Sequence, residues 1–369
     1  MAALSFATRA RSGAARTGRL VTPHGVLDTP AFFPVGTYGA VRGLTPEELR
    51  QVGVQGVLAN TYHLHLRPGE ETVRKLGGLH GFMGWDGPML TDSGGYQLYS
   101  LDLSERSEEG VRFRSPIDGS ERFLSPETAI GIQEALGADL IVQLDEFEPI
   151  ADRVDEARVR QMLERTLRWG ERCQRAKQRS DQWLFGIVQG GGSEKLRRES
   201  AARTRALGFD AFAIGGLGVG ESPERRWDLL DAALEPLPDE APHYLMGLGT
   251  PDDLVAAVAR GVDLFDCVIP TRHGRHGWVF TDRGPLNLRN ARFREDVSPI
   301  EEDCPCPVCT RFSRAYLRHL IVTEEALGAR LSSLHNLAFY MRLLARARDA
   351  ITGGAFDGWS REWRAQYAA

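Results

Sequence analysis

The stretch "YLMGLGTPDDLVAAVARGVDLFDCV" (244–268) holds one full repeat of a fold. It opens on a short apolar run, "YLMGLG" (244–249), that breaks at glycines. It continues as "TPDDLVAAVARG", a helix with a threonine cap, a proline at the first helical position and acids in the first turn. A second apolar run, "DLFDCV" (263–268), closes it. Strand, helix, strand in that order is the βαβ unit, whose two strands run parallel.

Seven of these apolar runs lead up to "DLFDCV". They are "AFFPVG" (31–36), "GVLANT" (56–61), "PMLTDSGG" (88–95), "LIVQLDE" (140–146), "LFGIVQGG" (184–191), "AFAIGGL" (211–217) and "YLMGLG". Helical stretches with the same starting signal lie between most of them. "TPEELRQVG" carries Thr45 as cap and Pro46 behind it, "SPETAIGIQEALG" precedes the fourth run and "SPERRWDLLDAAL" follows the sixth. Eight strands alternating with helices predict an α/β protein, a closed (β/α)8 TIM barrel. In that fold the chemistry sits at the C-terminal ends of the strands. The mouth then collects Asn60, Asp92, Asp145, Gln189, Gly215, Gly216, Met246 and Asp266.

Two departures mark insertions. The gap from Asp92 to Asp145 is too long for one helix, and "GVRFRSPIDGSERF" within it reads as a β-hairpin turning at Asp118-Gly119, near 110–125. After about residue 285 the pattern changes to a cysteine cluster and then "LSSLHNLAFYMRLLARARDAI", a long amphipathic helix. We therefore expect a catalytic barrel over 1–285 and a zinc-binding helical subdomain over 286–369.

The chain has 369 residues, 42% hydrophobic and 26% charged, which suits one large α/β domain with an appendage. No apolar run approaches the roughly 18 residues of a membrane span. The N-terminal "MAALSFATRARSGAARTGRL" has no apolar stretch of signal-peptide length. The expectation is a cytoplasmic protein with no membrane partner, although "SFATRARSGAARTG" alone leaves a transit peptide open. A net charge of −5 gives no overall attraction to polyanions, so nucleic-acid binding requires a local basic patch.

Three of five cysteines fall in "DCPCPVC" (303–309). Cys304, Cys306 and Cys309 supply three ligands of a tetrahedral structural zinc, one per chain. His319 and His335 both lie downstream as the fourth. His335 is preferred because it opens the amphipathic helix and could face back onto the knuckle. No ligand position is left open, so the metal is structural.

"LTDSGGYQ" (90–97), "FGIVQGG" (185–191), "AIGGLGVGE" (213–221), "YLMGLGTP" (244–251), "DLFDCVIPTRHGR" (263–275) and the Cys-x-Cys-x-x-Cys…His pattern together resemble tRNA-guanine transglycosylase, also called queuine tRNA-ribosyltransferase, of bacterial type. The resemblance runs from "FFPVGT" to the "HNL" around His335. It implies exchange of guanine at the tRNA wobble position for the 7-deazaguanine preQ1, in queuosine biosynthesis, through a covalent enzyme–ribosyl intermediate. By motif, Asp266 in "LFDCV" matches the nucleophile and Asp92 in "TDSGG" the general acid/base. Two carboxylates suit this chemistry. One stabilises and then bonds the oxocarbenium-like carbon, and the other moves the proton of the leaving and incoming bases.

The resemblance assigns the base edges as well. Asp145 accepts from the ring N–H and the 2-amino group, and Gln189 and the Gly216 N–H donate to O6. Tyr96 and Met246 sandwich the ring, and the Leu217 carbonyl meets the aminomethyl group of preQ1. Ser93, Gly94, Gly95 and Gly215 complete the wall. Thr271, Arg272, His273, Gly274 and Arg275 match residues that read the anticodon. The loop Gly247, Leu248, Gly249, Thr250, Pro251, Asp252 and Asp253 matches a neighbouring RNA contact. Arg311, Arg314 and Arg318 beside the knuckle either meet phosphates or form a solvated helix face. Members are dimers with the zinc region near the subunit contact, so a homodimer is expected.

One position departs from the family. Bacterial members usually read Asp-Glu-Cys where this chain has Asp145-Glu146-Phe147. On a strand, Phe147 would share the face of Asp145 and narrow the base pocket. Two rival readings remain: a catalytically silent tRNA-binding subunit, and a zinc-stapled hydrolase of small glycosides. Both carboxylates with a full base-edge set argue against the first, and Tyr96, Met246 and the Arg272/Arg275 pair are surplus to the second.

Overall fold

The computed structural model describes residues 4–99, 105–147, 149–150 and 155–368. Eight parallel strands close a barrel in chain order: Ala31–Gly36, Val57–Asn60, Met89–Asp92, Leu140–Val142, Trp183–Val188, Ala211–Ile214, His243–Leu245 and Leu264–Cys267. The eighth pairs with the first, Asp266 opposite Phe33, so no edge is left open. The expected (β/α)8 barrel is therefore the observed one.

Alternation along each strand sorts the residues into two cores. Phe33, Leu58, Leu90, Leu140, Val142, Phe185, Ile187, Ala211, Ala213, Tyr244 and Leu264 fill the barrel interior. Phe32, Val57, Ala59, Met89, Ile141, Leu184, Val188, Phe212, Ile214, Leu245 and Phe265 face the helices. Continuing the period of two past the inner residues brings Asn60, Asp92, Gln189, Gly215, Met246 and Asp266 to the inward side at the top of their strands. The helices begin where their caps place them. Thr45 caps Pro46–Gln51 with a full capping box, Ser125 caps Pro126–Leu136, Ser222 caps Pro223–Leu234 and Thr250 caps Pro251–Val258.

The fourth strand is shorter than its apolar run. It ends at Val142, and Leu144, which strict alternation would turn inward, packs with the outer core. The phase thus slips before Asp145, so strand alternation is not what places Phe147.

Two additions were read incompletely in the sequence. The insertion turns at Asp118-Gly119 as expected, but it is a three-stranded antiparallel sheet, Glu105–Arg106, Val111–Arg114 and Glu121–Leu124. The N-terminal segment is also a three-stranded antiparallel sheet, Ser5–Ser12, Ala15–Thr22 and Gly25–Thr29, and its Leu20 and Leu27 plug the barrel interior.

The C-terminal part contains the hairpin Trp278–Thr281/Gly284–Asn287, which straddles residue 285, and helices Arg314–Val322, Ala326–Thr352 and Phe356–Ala368. The 27-residue helix Ala326–Thr352 ties the part that follows the eighth strand to the barrel. The Tyr340 hydroxyl donates to the Gly249 carbonyl at 2.7 Å. The Asn336 side chain donates to the Pro270 and Trp278 carbonyls at 2.8 and 3.0 Å and accepts from the Phe280 N–H at 3.0 Å. Among the described residues, no helix is long and apolar enough to cross a membrane.

Candidate active site

Asp266 lies inward on the eighth strand, above Leu264. The Tyr244 hydroxyl and the Gly247 N–H both donate to its Oδ1, at 2.6 and 2.8 Å. Oδ2 has no hydrogen-bond partner among the described residues. Burial raises the Asp266 pKa, while those two donors oppose the rise by stabilising the charge. The result is an oriented carboxylate with one oxygen uncommitted among the described residues.

Asp92 ends the third strand, directly opposite Asn60 in register. Asn60 Nδ2 donates to Oδ2 at 2.5 Å and the Thr61 N–H to Oδ1 at 3.1 Å. Desolvation in the mouth pushes the Asp92 pKa up to about 7, with the charge of Asp266 adding to it and the Thr61 and Asn60 bonds opposing it. An acid that titrates near neutrality can both give and take a proton. Asn60 was placed at the mouth by the sequence, but its bond to the acid could be found only in three dimensions.

Asp145 accepts from Gln189 Nε2 at 2.7 Å, and its pKa is pushed up to about 6, chiefly by burial. Gly95 must lack a side chain here, because a Cβ would come within 2.6 Å of Asp145 Oδ1. Gly215 and Gly216 pack on the Gln189 amide, and Gly216 has φ +67°, a left-handed conformation that favours glycine. These five residues line one wall. Ser93 is buried, and Gly94 (φ +81°) packs against Tyr62. Tyr96 stands on the short helix Gly95–Tyr99, more than half exposed. Met246 follows the seventh strand and packs on the barrel interior. Leu217 is buried, and Glu221, which the motif reading had not used, accepts from the Gly218 and Val219 N–H groups at 2.5 and 3.0 Å.

Phe147 is buried, with its ring 5.4 Å from that of Tyr96 and 5.3 Å from that of Tyr99. A Cβ on Gly216 would lie 3.4 Å from the same ring. Phe147 therefore stands behind the wall of the mouth, although the strand that was to put it there has already ended.

The short helix Ile269–Arg275 follows the eighth strand at once. Thr271 is buried, and Gly274 packs so closely on Ser333 that a Cβ would come within 2.6 Å of its backbone. His273 stacks on Phe280 at 5.6 Å. Arg272 is exposed and Arg275 half-buried. Neither they nor Arg42 has an ion-pair partner among the described residues. The Arg275 pKa is lowered by burial and then by the charges of Arg42 and Arg272. Arg42 joins a positive patch that the sequence alone had given only two members.

The 247–253 loop is mostly used by the fold. Gly247 serves Asp266, Leu248 is buried, and the Gly249 carbonyl accepts from Tyr340. Thr250 and Asp253 form a capping box around Pro251, and Asp252 and Asp253 pair with Arg364 and Arg226. Arg314 is likewise engaged by Asp296 and the Ile300 carbonyl, and Arg318 by the Asn290 carbonyl. Arg311 is exposed.

Cys304, Cys306, Cys309 and His335 form a buried cluster whose ligand atoms all lie within 4.8 Å of one another. His335 Nδ1 is 3.5 Å from Cys306 Sγ and 3.3 Å from Cys309 Sγ. Its Nε2 lies 2.8 Å from the Phe280 carbonyl, which can only accept, so the proton sits on Nε2 and Nδ1 faces the sulfurs. Arg342 Nη1 donates to Cys304 Sγ at 2.8 Å. Tetrahedral zinc with bonds of about 2.0–2.3 Å needs ligand atoms roughly 3.5–3.8 Å apart, so the cluster can hold such an ion. His335 sits well inside the helix Ala326–Thr352 and does not open it, whereas His319 is exposed on the helix Arg314–Val322.

The family model described as "Queuine tRNA-ribosyltransferase" matches residues 11–369. Curated proteins of that name are similar over nearly their full lengths. The one from Zymomonas mobilis is 50% identical over 99% of this chain and 96% of its own. Those from Thermus thermophilus and Symbiobacterium thermophilum are each 53% identical, over 97% and 94% of this chain and 93% and 86% of their own.

Proposed function

The chain belongs to the queuine tRNA-ribosyltransferase family, and from that premise we propose that it is a pentosyltransferase that removes guanine from the wobble position of a tRNA anticodon and inserts preQ1, a step in queuosine synthesis. The observation that carries this reading is the pair Asp92 and Asp266, which rise from the third and eighth strands into one mouth beside a wall of base-edge groups.

The mechanism follows from how each carboxylate is held. Tyr244 and Gly247 fix Oδ1 of Asp266, so Oδ2 attacks C1′ of the target ribose. As the C1′–O bond forms, the C1′–N9 bond breaks and its electron pair leaves with guanine. Protonated Asp92 supplies the proton that neutralises the departing base. The incoming 7-deazaguanine returns a proton to Asp92, its N9 attacks C1′, and Asp266 departs. Two inversions give net retention, as in double-displacement glycosidases.

Asp145, Gln189, the Gly216 N–H and the Leu217 carbonyl read the base edges, between Tyr96 and Met246. The base must leave its stack to reach them, and the patch of Arg42, Arg272 and Arg275 faces the flanking phosphates. Cys304, Cys306, Cys309 and His335 would hold one structural zinc per chain, which would supply stability and take no part in the chemistry. A second copy pairs against the zinc region, where exposed Tyr316 stacks on Phe312 at 5.5 Å. The protein acts in the cytoplasm, where its tRNA substrate is.

Labelled-guanine exchange into tRNA tests the reading. The wild type should exchange guanine and, with a slow second base, give a protein–RNA band that resists denaturant. Asp266→Asn should bind tRNA yet give neither. Wild-type binding without exchange would instead favour a silent RNA-binding subunit.

A further inference from the structure

We infer that Arg197 is a positioning residue for base recognition: it turns the Gly215–Gly216 peptide so that the amide N–H faces the mouth, and thereby sets the demand for an oxygen at the 6-position of the base. This rests on the function proposed above and assigns a residue behind the site to its specificity.

Arg197 lies on the helix Glu194–Ala206, the one after the fifth strand, and its side chain is wholly buried. Its Nε donates to the Gly191 carbonyl at 2.9 Å, Nη1 to the Gly215 carbonyl at 3.0 Å and Nη2 to the Gly216 carbonyl at 3.1 Å. No carboxylate hydrogen-bonds to it among the described residues. A buried guanidinium committed to three carbonyls is costly to keep. Burial lowers its pKa to about 10, which still leaves it cationic at neutral pH.

The peptide plane turns this contact into a statement about the pocket. In a trans peptide the C=O and the following N–H point in opposite directions. With the Gly215 oxygen drawn back onto Nη1, the Gly216 N–H points away from Arg197 and toward the face that Gln189 shares. Holding two successive carbonyls on one guanidinium requires a helix-like turn between them, and Gly216 supplies it at φ +67°. Without Arg197 the peptide loses the reason for that orientation and can present its oxygen instead. A wall that offers an acceptor no longer selects a 6-oxo purine over one that lacks the oxygen.

The test compares guanine with 2-aminopurine, which keeps the 2-amino group but has hydrogen at position 6 and no proton on N1. The N1 change meets Asp145 alike in every variant, so Arg197 is read from how the ratio moves. Both are measured as ligands in guanine exchange into tRNA, the second as an inhibitor. Arg197→Met should weaken guanine by about tenfold to a hundredfold, lower kcat/KM for tRNA with it because the wobble guanine meets the same wall, and leave 2-aminopurine within about twofold. Arg197→Lys, which keeps the charge but not the three-way fork, should fall between the two proteins. It carries the same comparison if Arg197→Met does not fold. An unchanged ratio of guanine to 2-aminopurine, with only the thermal midpoint lowered, would overturn the inference and leave Arg197 a structural residue. Wild-type exchange in the same assay separates that result from a failure of the proposed function.

Discussion

Replacing Asn60 with serine should move the alkaline limb of the pH–rate profile upward while leaving the acid limb in place. Asn60 does two jobs. Its Nδ2 donates to Asp92 at 2.5 Å, and its Oδ1 caps the helix Thr61–Leu66 by accepting from the His63 N–H at 3.0 Å. Serine can keep the cap but is too short to reach Asp92. The lost bond is one that stabilises the charged carboxylate, so the Asp92 pKa, already pushed up to about 7, rises further. A hydrogen bond to a charged group contributes about 1.5–3 kcal/mol, and one pKa unit corresponds to about 1.4 kcal/mol, so the titration moves up by about 1–2 pH units. The first half-reaction needs Asp92 protonated, and activity is therefore lost as pH rises through its pKa. Asn60→Ser postpones that loss. The acid limb belongs to Asp145, near 6, and to Asp266, also raised by burial, both of which must be ionised and are lost as pH falls. The assay is kcat/KM for tRNA in guanine exchange between about pH 5 and 9, which reports groups of the free enzyme. Asn60→Ala should show the same displacement with about 1 kcal/mol less stability from the lost cap. A uniform fall in rate with an unmoved alkaline limb would mean that Asp92 is not the proton donor.

His335→Ala should release the metal and loosen the C-terminal part, since structural zinc contributes on the order of 10 kcal/mol in small domains; metal analysis that still found full zinc would move the fourth ligand elsewhere. Arg272→Ala and Arg275→Ala should each raise the KM for tRNA and reduce its salt slope by about one, with the KM for preQ1 unchanged; the opposite pattern would place these arginines on the base. The wild type should exclude bulky queuine and Phe147→Cys should accept it without harm to guanine exchange, because the ring now stands against Tyr96 and Gly216. An unchanged preQ1-to-queuine ratio in kcat/KM would show that Phe147 only fills the core.

The barrel could be read from the sequence because each strand is a buried run between strong helix starts. Thr45, Ser125, Ser222 and Thr250 all cap where they were expected to. The mouth could be read because a period of two carries Leu58 to Asn60, Leu90 to Asp92 and Leu264 to Asp266. The rule fails at the fourth strand, which ends at Val142, so that Asp145 reaches the mouth, and Phe147 the back of its wall, by an irregular path. The N-terminal sheet was hidden for another reason. "SFATRARS" alternates exposed and half-buried residues, with arginines on one face, and carries little apolar signal. The helix around His335 begins at Ala326, ahead of its clearest apolar periodicity, so the histidine was placed at its start when it lies inside it.

What stayed hidden longest acts from behind the base wall. Under the proposed function, the loop after the sixth strand offers a donor at Gly216 and an acceptor at Leu217, one residue apart. A peptide segment of glycines has no intrinsic preference for that polarity. The structure supplies it with two opposite charges. Arg197 draws back the Gly215 and Gly216 carbonyls, and Glu221 draws back the Gly218 and Val219 N–H groups. Because each peptide is planar, holding the Gly215 oxygen fixes the direction of the Gly216 N–H, and holding the Gly218 N–H fixes that of the Leu217 oxygen. Arg226, at 2.8 Å from Glu221, balances the acid, while Arg197 hydrogen-bonds only to carbonyls and feels the Glu221 charge from a distance. On the proposed function, specificity for the base edge would be stored in side chains that never touch the base. One lies on the preceding helix and one beyond the loop, so no local spacing in the sequence could have joined them.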